Sequence, residues 1–373
     1  MFPYPETDYT LLIPTFNRSV KLGMLLRYLA HHKARFRIVV LDASNASDQK
    51  RNATLLAQLP LAAEHRNFSS GAPFAETVST ALGGVDTPYC SLIPDDDLLL
   101  PGGLATALNY LRRHPEFVAA QGYNVAFLPY QNGIRLIGIL EWCPTIGDER
   151  PLARLSHLAR RYQPVNWAVY RTAALQRIFA PTVGIDVENL MMWELTMAFS
   201  AVREGKIARL PMFYRLIREE ESVVPRRQLH IFHQFVAGSE KLLRDLIRFR
   251  ALLIDSFASG PDRDLGRPEI TRVIDLILGH FFWRHFDAGT AEFLIQRSLD
   301  LLPPDVLAAG ELSMSQKEMP PPDHGSAVDT LTVSGDPRRI WIESGMLRAQ
   351  ANPEISVTPL QIQQLVADLA AYH

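Results

Sequence analysis

Cysteine is nearly missing: Cys90 and Cys143 are the only two in 373 residues, so no disulfide framework holds this chain together. That scarcity suits the reducing cytosol. An excess of one charge is missing too. A formal net charge of −2 and a pI near 6.6 exclude the broad basic surface that nucleic acid requires, so no nucleic-acid partner is expected. No uninterrupted apolar run approaches the roughly 20 residues of a membrane-spanning helix. Met1-Phe2-Pro3-Tyr4-Pro5-Glu6 shows neither the basic nor the apolar stretch of a secretory signal. No internal repeat is visible. With 47% hydrophobic and 21% charged residues, the composition is that of a soluble globular protein, and the expected location is cytoplasmic. A chain of 373 residues exceeds one ordinary core, so two domains are expected.

What the chain does have is acid concentrated at one point. Asp95-Asp96-Asp97 follow the apolar run Tyr89-Cys90-Ser91-Leu92-Ile93-Pro94 and precede Leu98-Leu99-Leu100-Pro101. A short buried strand ending in clustered carboxylates sets negative oxygens at a sheet rim, where they repel unless a cation neutralises them. Hard oxygen ligands suit Mg²⁺ or Mn²⁺, and those ions in turn hold phosphates. The cluster therefore points to metal-assisted chemistry on a phosphorylated substrate. The duller reading is a solvated turn, with Asp97 capping the next helix.

The first 130 residues or so alternate strand and helix patterns. Tyr9-Thr10-Leu11-Leu12-Ile13-Pro14 reads as a buried strand. Ser19 can cap a helix whose Leu22, Leu25, Leu26 and Leu29 share one face. Phe36–Asp42 is a second, nearly continuous apolar strand, as parallel strands are. A helix follows over 74–82, then the strand ending at the aspartates, a helix from near Gly103, and a strand over Phe117–Gly122. This alternation predicts a doubly wound α/β sheet with helices on both faces. Helices resume at Thr172–Phe179 and Val187–Glu204, and Ala208–Arg215 reads as a strand. Past Pro225 the pattern is helical near 228–257, 268–286, 290–302 and after Thr358, with a Pro- and Gly-rich loop over 311–338. The expected domains are 1–224 and a mainly helical 225–373.

In open α/β sheets ligands bind beyond the carboxyl ends of the strands. Three successive strand ends reach that edge here: the turn Pro14-Thr15-Phe16-Asn17-Arg18, the single Asp42, and the aspartate triplet. A carboxylate such as Asp42 can accept the imide N–H of a uracil or thymine ring. Their convergence says more than any one of them.

Ile13-Pro14-Thr15-Phe16-Asn17-Arg18, Val39-Val40-Leu41-Asp42-Ala43-Ser44 and Ile93-Pro94-Asp95-Asp96-Asp97 resemble the three N-terminal motifs of GT-A glycosyltransferases of the family 2 type. The resemblance covers roughly residues 8–218 and implies a GT-A, Rossmann-like, mostly parallel sheet that binds a nucleotide-sugar donor. It implies that Pro14, Thr15, Asn17 and Arg18 line the nucleoside and phosphate pocket and that Asp42 reads the pyrimidine, favouring UDP- or dTDP-sugars. Asp95 and Asp97 match the outer positions of the family's DXD element. Asp97 is the preferred ligand of the Mn²⁺ or Mg²⁺, with Asp95 as its companion; Asp96 or Asp95 touches ribose or sugar. Farther on, Trp193-Glu194-Leu195 ahead of Gly205-Lys206-Ile207 is similar to the family's acidic helix motif, usually Glu-Asp, which puts Glu194 at the position of the catalytic base. In an inverting transfer such a carboxylate takes the proton of the acceptor hydroxyl. Arg218 stands where many relatives have a metal-binding His.

Three further roles come from the residues themselves. Arg215 and Arg218 follow the last strand and can clamp a diphosphate, or merely pair with Glu219–Glu221. Trp193 can be a platform for a sugar face, or core. His230 and His233 lack the flanking ligands that would complete a metal site. The acceptor is expected to be a glycan, a lipid-linked molecule or another hydroxyl compound. The C-terminal helices could pair two subunits or touch a membrane surface peripherally. Two alternatives stay open. A nucleotidyltransferase would have a glycine-rich loop after the first strand, and Pro14–Arg18 has no glycine. A catalytically silent nucleotide-sugar-binding module is the other, kept open by Trp193-Glu194 in place of Glu-Asp.

Overall fold

The computed structural model describes residues 8–130, 133–140, 144–160, 162, 164–182, 190–218, 240–284, 329–332, 339–342 and 365. Strands β1 (Tyr9–Thr15), β2 (Arg37–Asp42), β3 (Ala63–Asn67) and β4 (Tyr89–Leu92) pair in parallel in the order β3-β2-β1-β4. The β1 and β2 side chains are apolar on both faces, which is what a sheet covered on both sides selects. Alternation sorts them into two cores. Tyr9, Leu11, Ile13, Ile38 and Val40 meet α1 (Ser19–His31) through Leu22, Leu25, Leu26 and Leu29, and α4 (Pro101–Arg113) through Leu104, Leu108 and Leu111. Leu12, Val39, Leu41 and Leu92 face the opposite core, built by α3 (Phe74–Leu82), α5 (Pro151–Arg160), α6 (Thr172–Phe179) and α7 (Leu190–Glu204). The α/β architecture with helices on both faces, expected from the sequence, is what the chain adopts.

Beyond β4 the sheet becomes mixed. The short β8 (Val169–Arg171) runs antiparallel to both β4 and β6 (Phe117–Tyr130). β6 also pairs antiparallel with β7 (Gly133–Leu140) and parallel with β9 (Lys206–Arg218), and β5 (Leu98–Leu99) pairs antiparallel with β9. β10 (Asp329–Thr332) and β11 (Arg339–Ile342) continue the sheet past β7. The stretch expected as a loop over 311–338 lies outside the described residues apart from β10. So do the helices read over 290–302 and after 358, except for Leu365, and so do His230, His233 and Glu219–Glu221.

Two C-terminal helices, α8 (Glu240–Ala258) and α9 (Arg267–Arg284), add Phe249, Leu253, Phe257, Ile270, Ile274 and Phe281 to the second core beside α5 and α7. Arg250 bonds Asp275 between them at 2.6 and 2.7 Å. Among the described residues, no helix is long and apolar enough to cross a membrane.

The N-terminus of α1 departs from the sequence expectation. The chain turns at Asn17 in the left-handed conformation, φ 55°, which Asn tolerates better than most residues, and Arg18 rather than Ser19 precedes the helix. Ser19 is the first helical residue, and its hydroxyl donates to Asp48 Oδ1 (2.9 Å) in α2 (Ala46–Gln58).

Candidate functional site

The parallel register puts Thr15 beside Asp42 at the carboxyl ends of β1 and β2. Thr15 Oγ1 donates to Asp95 Oδ2 at 2.7 Å, so the third strand end joins them. Arg18, one residue before α1, places Nη1 3.1 Å from Asp95 Oδ1 and donates through Nη2 to Asp96 Oδ2. One turn on, Lys21 Nζ lies 3.5 Å from the same Asp96 oxygen. Asp97 takes its partners from β9. Leu99 of β5 is registered on Arg215 of β9, and this pairing brings Arg215 Nη1 to 3.1 Å from Asp97 Oδ2. The Arg218 backbone N–H donates to Asp97 Oδ1 at 3.1 Å. Four carboxylates and three cationic side chains thus share one edge of the sheet, with the Arg218 backbone beside them.

Burial sets the electrostatics. Asp97 is 4% exposed, and loss of water pushes its carboxyl up to about 6, against the pull of the Arg215 guanidinium and with a further push from Asp95. Burial also raises Asp95, offset in part by Thr15, Arg18 and Lys21. Arg215 is itself 2% exposed, with its guanidinium 5.6 Å from the centroid of the Trp167 ring and, among the described residues, no hydrogen-bond partner on Nε. A buried guanidinium held by one carboxylate and one aromatic face keeps donor capacity for an anion.

Asp42 behaves differently. Burial favours its neutral form, but His65 Nε2 (2.9 Å), Asn52 Nδ2 (2.7 Å) and the Ser44 N–H (2.9 Å) outweigh that and hold its carboxyl down to about 2. Its side chain is 0% exposed. The direct contact with a base expected from the sequence therefore has no open oxygen here. Asn17 ties the loop of β1 to that of β2: its N–H donates to Ser44 Oγ (2.8 Å), and its Oδ1 accepts from the N–H and Nδ2 of Asn45 (2.9 and 2.8 Å). Pro14 lies next to Thr15 within β1, half-buried and registered on Leu41.

The structure thus brings together Thr15, Arg18, Asp95, Asp96, Asp97, Arg215 and Arg218, with Asn17 and Asp42 buttressing the same edge. Glu194 belongs to another layer. It sits half-buried on α7, where Tyr162 Oη donates to its Oε1 at 2.8 Å. Trp193 is 6% exposed and packs edge-to-face on Phe74 at 6.4 Å, so its ring is core and offers no open face to a sugar. Lys21, His65, Tyr162 and Trp167 were not singled out by sequence. Only Lys21 carried a signal, since it lies three residues after Arg18 at a helix start.

Among the described residues, no group of three or more His, Cys, Asp or Glu is gathered to hold a metal ion. The donor set still suits Mg²⁺ or Mn²⁺ on a nucleotide. Such ions take only one or two protein carboxylates, with phosphate and water completing the shell, and Asp95 and Asp97 are hard-oxygen donors near enough to repel one another.

No protein-family model and no curated protein matches this chain. Among solved structures it is similar to S. aureus TarS 1–349, at 16% identity over 74% of this chain and 72% of that one, with a TM-score of 0.47. The same protein in complex with UDP-GlcNAc gives 17% identity over 74% and 73%, TM-score 0.46. The mannosyltransferase PcManGT from Pyrobaculum calidifontis, in complex with GDP-Man and Mn²⁺, gives 14% identity over 83% and 86%, TM-score 0.38. TM-scores below 0.5 are too low to transfer an activity. What this chain does must be read from its own strand ends.

Proposed function

We propose that the chain is a glycosyltransferase of GT-A, family 2-like type, which moves a sugar from a nucleoside-diphosphate sugar to an acceptor hydroxyl. The observation that carries this reading is the meeting of three strand ends, where Thr15 bonds Asp95 beside Asp42 and the side chains of Arg18, Lys21 and Arg215 pair with the acids. Arg18, Lys21, Arg215 and Arg218 supply positive charge where the departing diphosphate becomes more negative, and stabilising that charge lowers the barrier. Asp97 and Asp95 would hold the Mg²⁺ or Mn²⁺, a Lewis acid for the leaving diphosphate. Glu194, oriented by Tyr162, takes the proton of the attacking hydroxyl; a single displacement of this kind inverts the anomeric centre.

UDP- or dTDP-sugars are the favoured donors, and a glycan or lipid-linked hydroxyl compound is the favoured acceptor class, met in the cytoplasm or at the inner membrane face. Peripheral contact with a membrane, or pairing of two copies, would use the C-terminal helices, where Ile247 of α8 and Leu276 of α9 are 58% and 60% exposed. The test is a thermal-shift screen of UDP-, dTDP-, GDP- and CMP-sugars with and without Mn²⁺, followed by transfer assays. A donor that binds only the folded chain raises the melting temperature by mass action. If no nucleotide sugar shifts it, the reading fails; binding without turnover over a broad acceptor panel leaves the silent module.

A further inference from the structure

Asp42 is sealed, yet it carries a full negative charge at the edge where a nucleotide is proposed to bind. Each of its oxygens is engaged: Oδ1 by the Ser44 N–H, Oδ2 by Asn52 and His65. Two of these partners are sealed as well, since Ser44 and Asn52 are each 1% exposed. His65 alone keeps contact with solvent, at 13%. Among the described partners of the Asp42 carboxylate, that imidazole is the one through which it can act on a ligand.

The chemistry of the pair then fixes what His65 presents. An ionised carboxylate only accepts hydrogen bonds, so the hydrogen of the Asp42–His65 bond belongs to Nε2. In the neutral ring this leaves Nδ1 as a bare lone pair, the tautomer being set by the partner on the other nitrogen. No described residue bonds Nδ1. His65 stands on β3, beside β2, and its ring reaches the last residue of that strand. This is the sheet edge beyond which ligands bind.

We infer that His65 is the residue that selects the nucleobase, with Asp42 behind it as a positioning residue, and that the site takes a base presenting a ring N–H. The inference rests on the nucleotide-donor reading above. Uracil and thymine present that hydrogen at N3. Cytosine presents a lone pair there, which faces the Nδ1 lone pair and leaves both without a partner. UDP and CDP share the ribose and diphosphate that the arginines would hold, so comparing them isolates the base.

The experiment is calorimetry of the full chain with UDP and CDP, on wild type, His65→Phe and His65→Gln, with a nitrogen-15 spectrum of the His65 ring. Wild type is expected to bind UDP about tenfold more tightly than CDP, the worth of one hydrogen bond against an unpaired group. His65→Phe brings the two affinities together by weakening UDP, and His65→Gln, which keeps an amide donor for Asp42 and an acceptor beside it, retains part of the preference. In the wild-type spectrum the Nδ1 resonance shifts on adding UDP but not CDP; that readout stands even if a variant fails to fold. If wild type binds neither nucleotide, the donor reading falls and takes this inference with it. If it binds them equally, or His65→Phe keeps the preference, or Nδ1 ignores UDP, this inference alone is overturned.

Discussion

Asp42 ends β2 and Asp97 immediately precedes β5 in one sheet, and both are buried, yet their chemistry diverges. Asp42 is held down to about 2, whereas Asp97 is pushed up to about 6. Asp97 has the nearer full positive charge, in Arg215, so proximity to charge does not decide the difference. Hydrogen bonds do. Asp42 accepts three, from His65, Asn52 and Ser44, while Asp97 accepts one good bond, from the Arg218 backbone, plus an ion pair. A carboxylate supplied with donors by its own chain stays ionised, whereas one stripped of water with few donors gains most from a cation.

The most damaging way to probe the contrast is Arg215→Met. It strands Asp97 in the core, and a loss of about 3–5 kcal/mol is expected in urea denaturation, as for one partner removed from a buried pair. Adding Asp97→Asn should recover most of that loss. A cost below about 1 kcal/mol would mean that Arg215 does not balance Asp97. Asp97→Asn alone should leave the fold intact but abolish the Mn²⁺-dependent part of any donor-induced thermal shift. Transfer should fall roughly 10²–10³-fold, the usual cost of losing one charge-stabilising group. Asp42→Asn is expected to cost about 2 kcal/mol of stability, the equivalent of its depressed carboxyl.

The smallest effect is in pH. Because the folded Asp42 carboxyl lies below its ordinary value of 3.8, its contribution is complete above about pH 4. It is lost as pH falls toward about 2. Acid unfolding curves of wild type and Asp42→Asn should therefore converge across that window; curves that stay parallel would show that the three donors do not stabilise the anion.

How far the sequence could be read follows the same divide between apolar and polar packing. β1, β2 and β4 were legible because their side chains are buried on both faces and run as unbroken apolar stretches. The meeting of Thr15, Asp42 and the aspartates at one edge followed from counting strand ends. α2 was invisible because its one buried residue is Asn52, which bonds Asp42 and leaves no apolar stripe to detect. β3, Ala-Glu-His-Arg-Asn, is a polar edge strand with neither alternation nor β-branched residues, and His65 was hidden with it. Sequence singled out Trp193, which is core, and passed over Trp167, whose ring lies beneath Arg215. Composition alone does not say which of two tryptophans a fold turns outward.

Gly103, just inside α4, limits how the molecule can move. A methyl group there would sit 2.5 Å from the Phe213 carbonyl oxygen and 2.7 Å from the Tyr214 Cα, so helix and strand touch backbone to backbone. β5, directly after the aspartates, is laced to β9 and completes the weld. The acid cluster, α4 and the strand bearing Arg215 must travel as one block. Any opening that admits a bulky donor has to be hinged elsewhere, and a single added methyl at Gly103 would act as a wedge that tilts the acids away from their arginine.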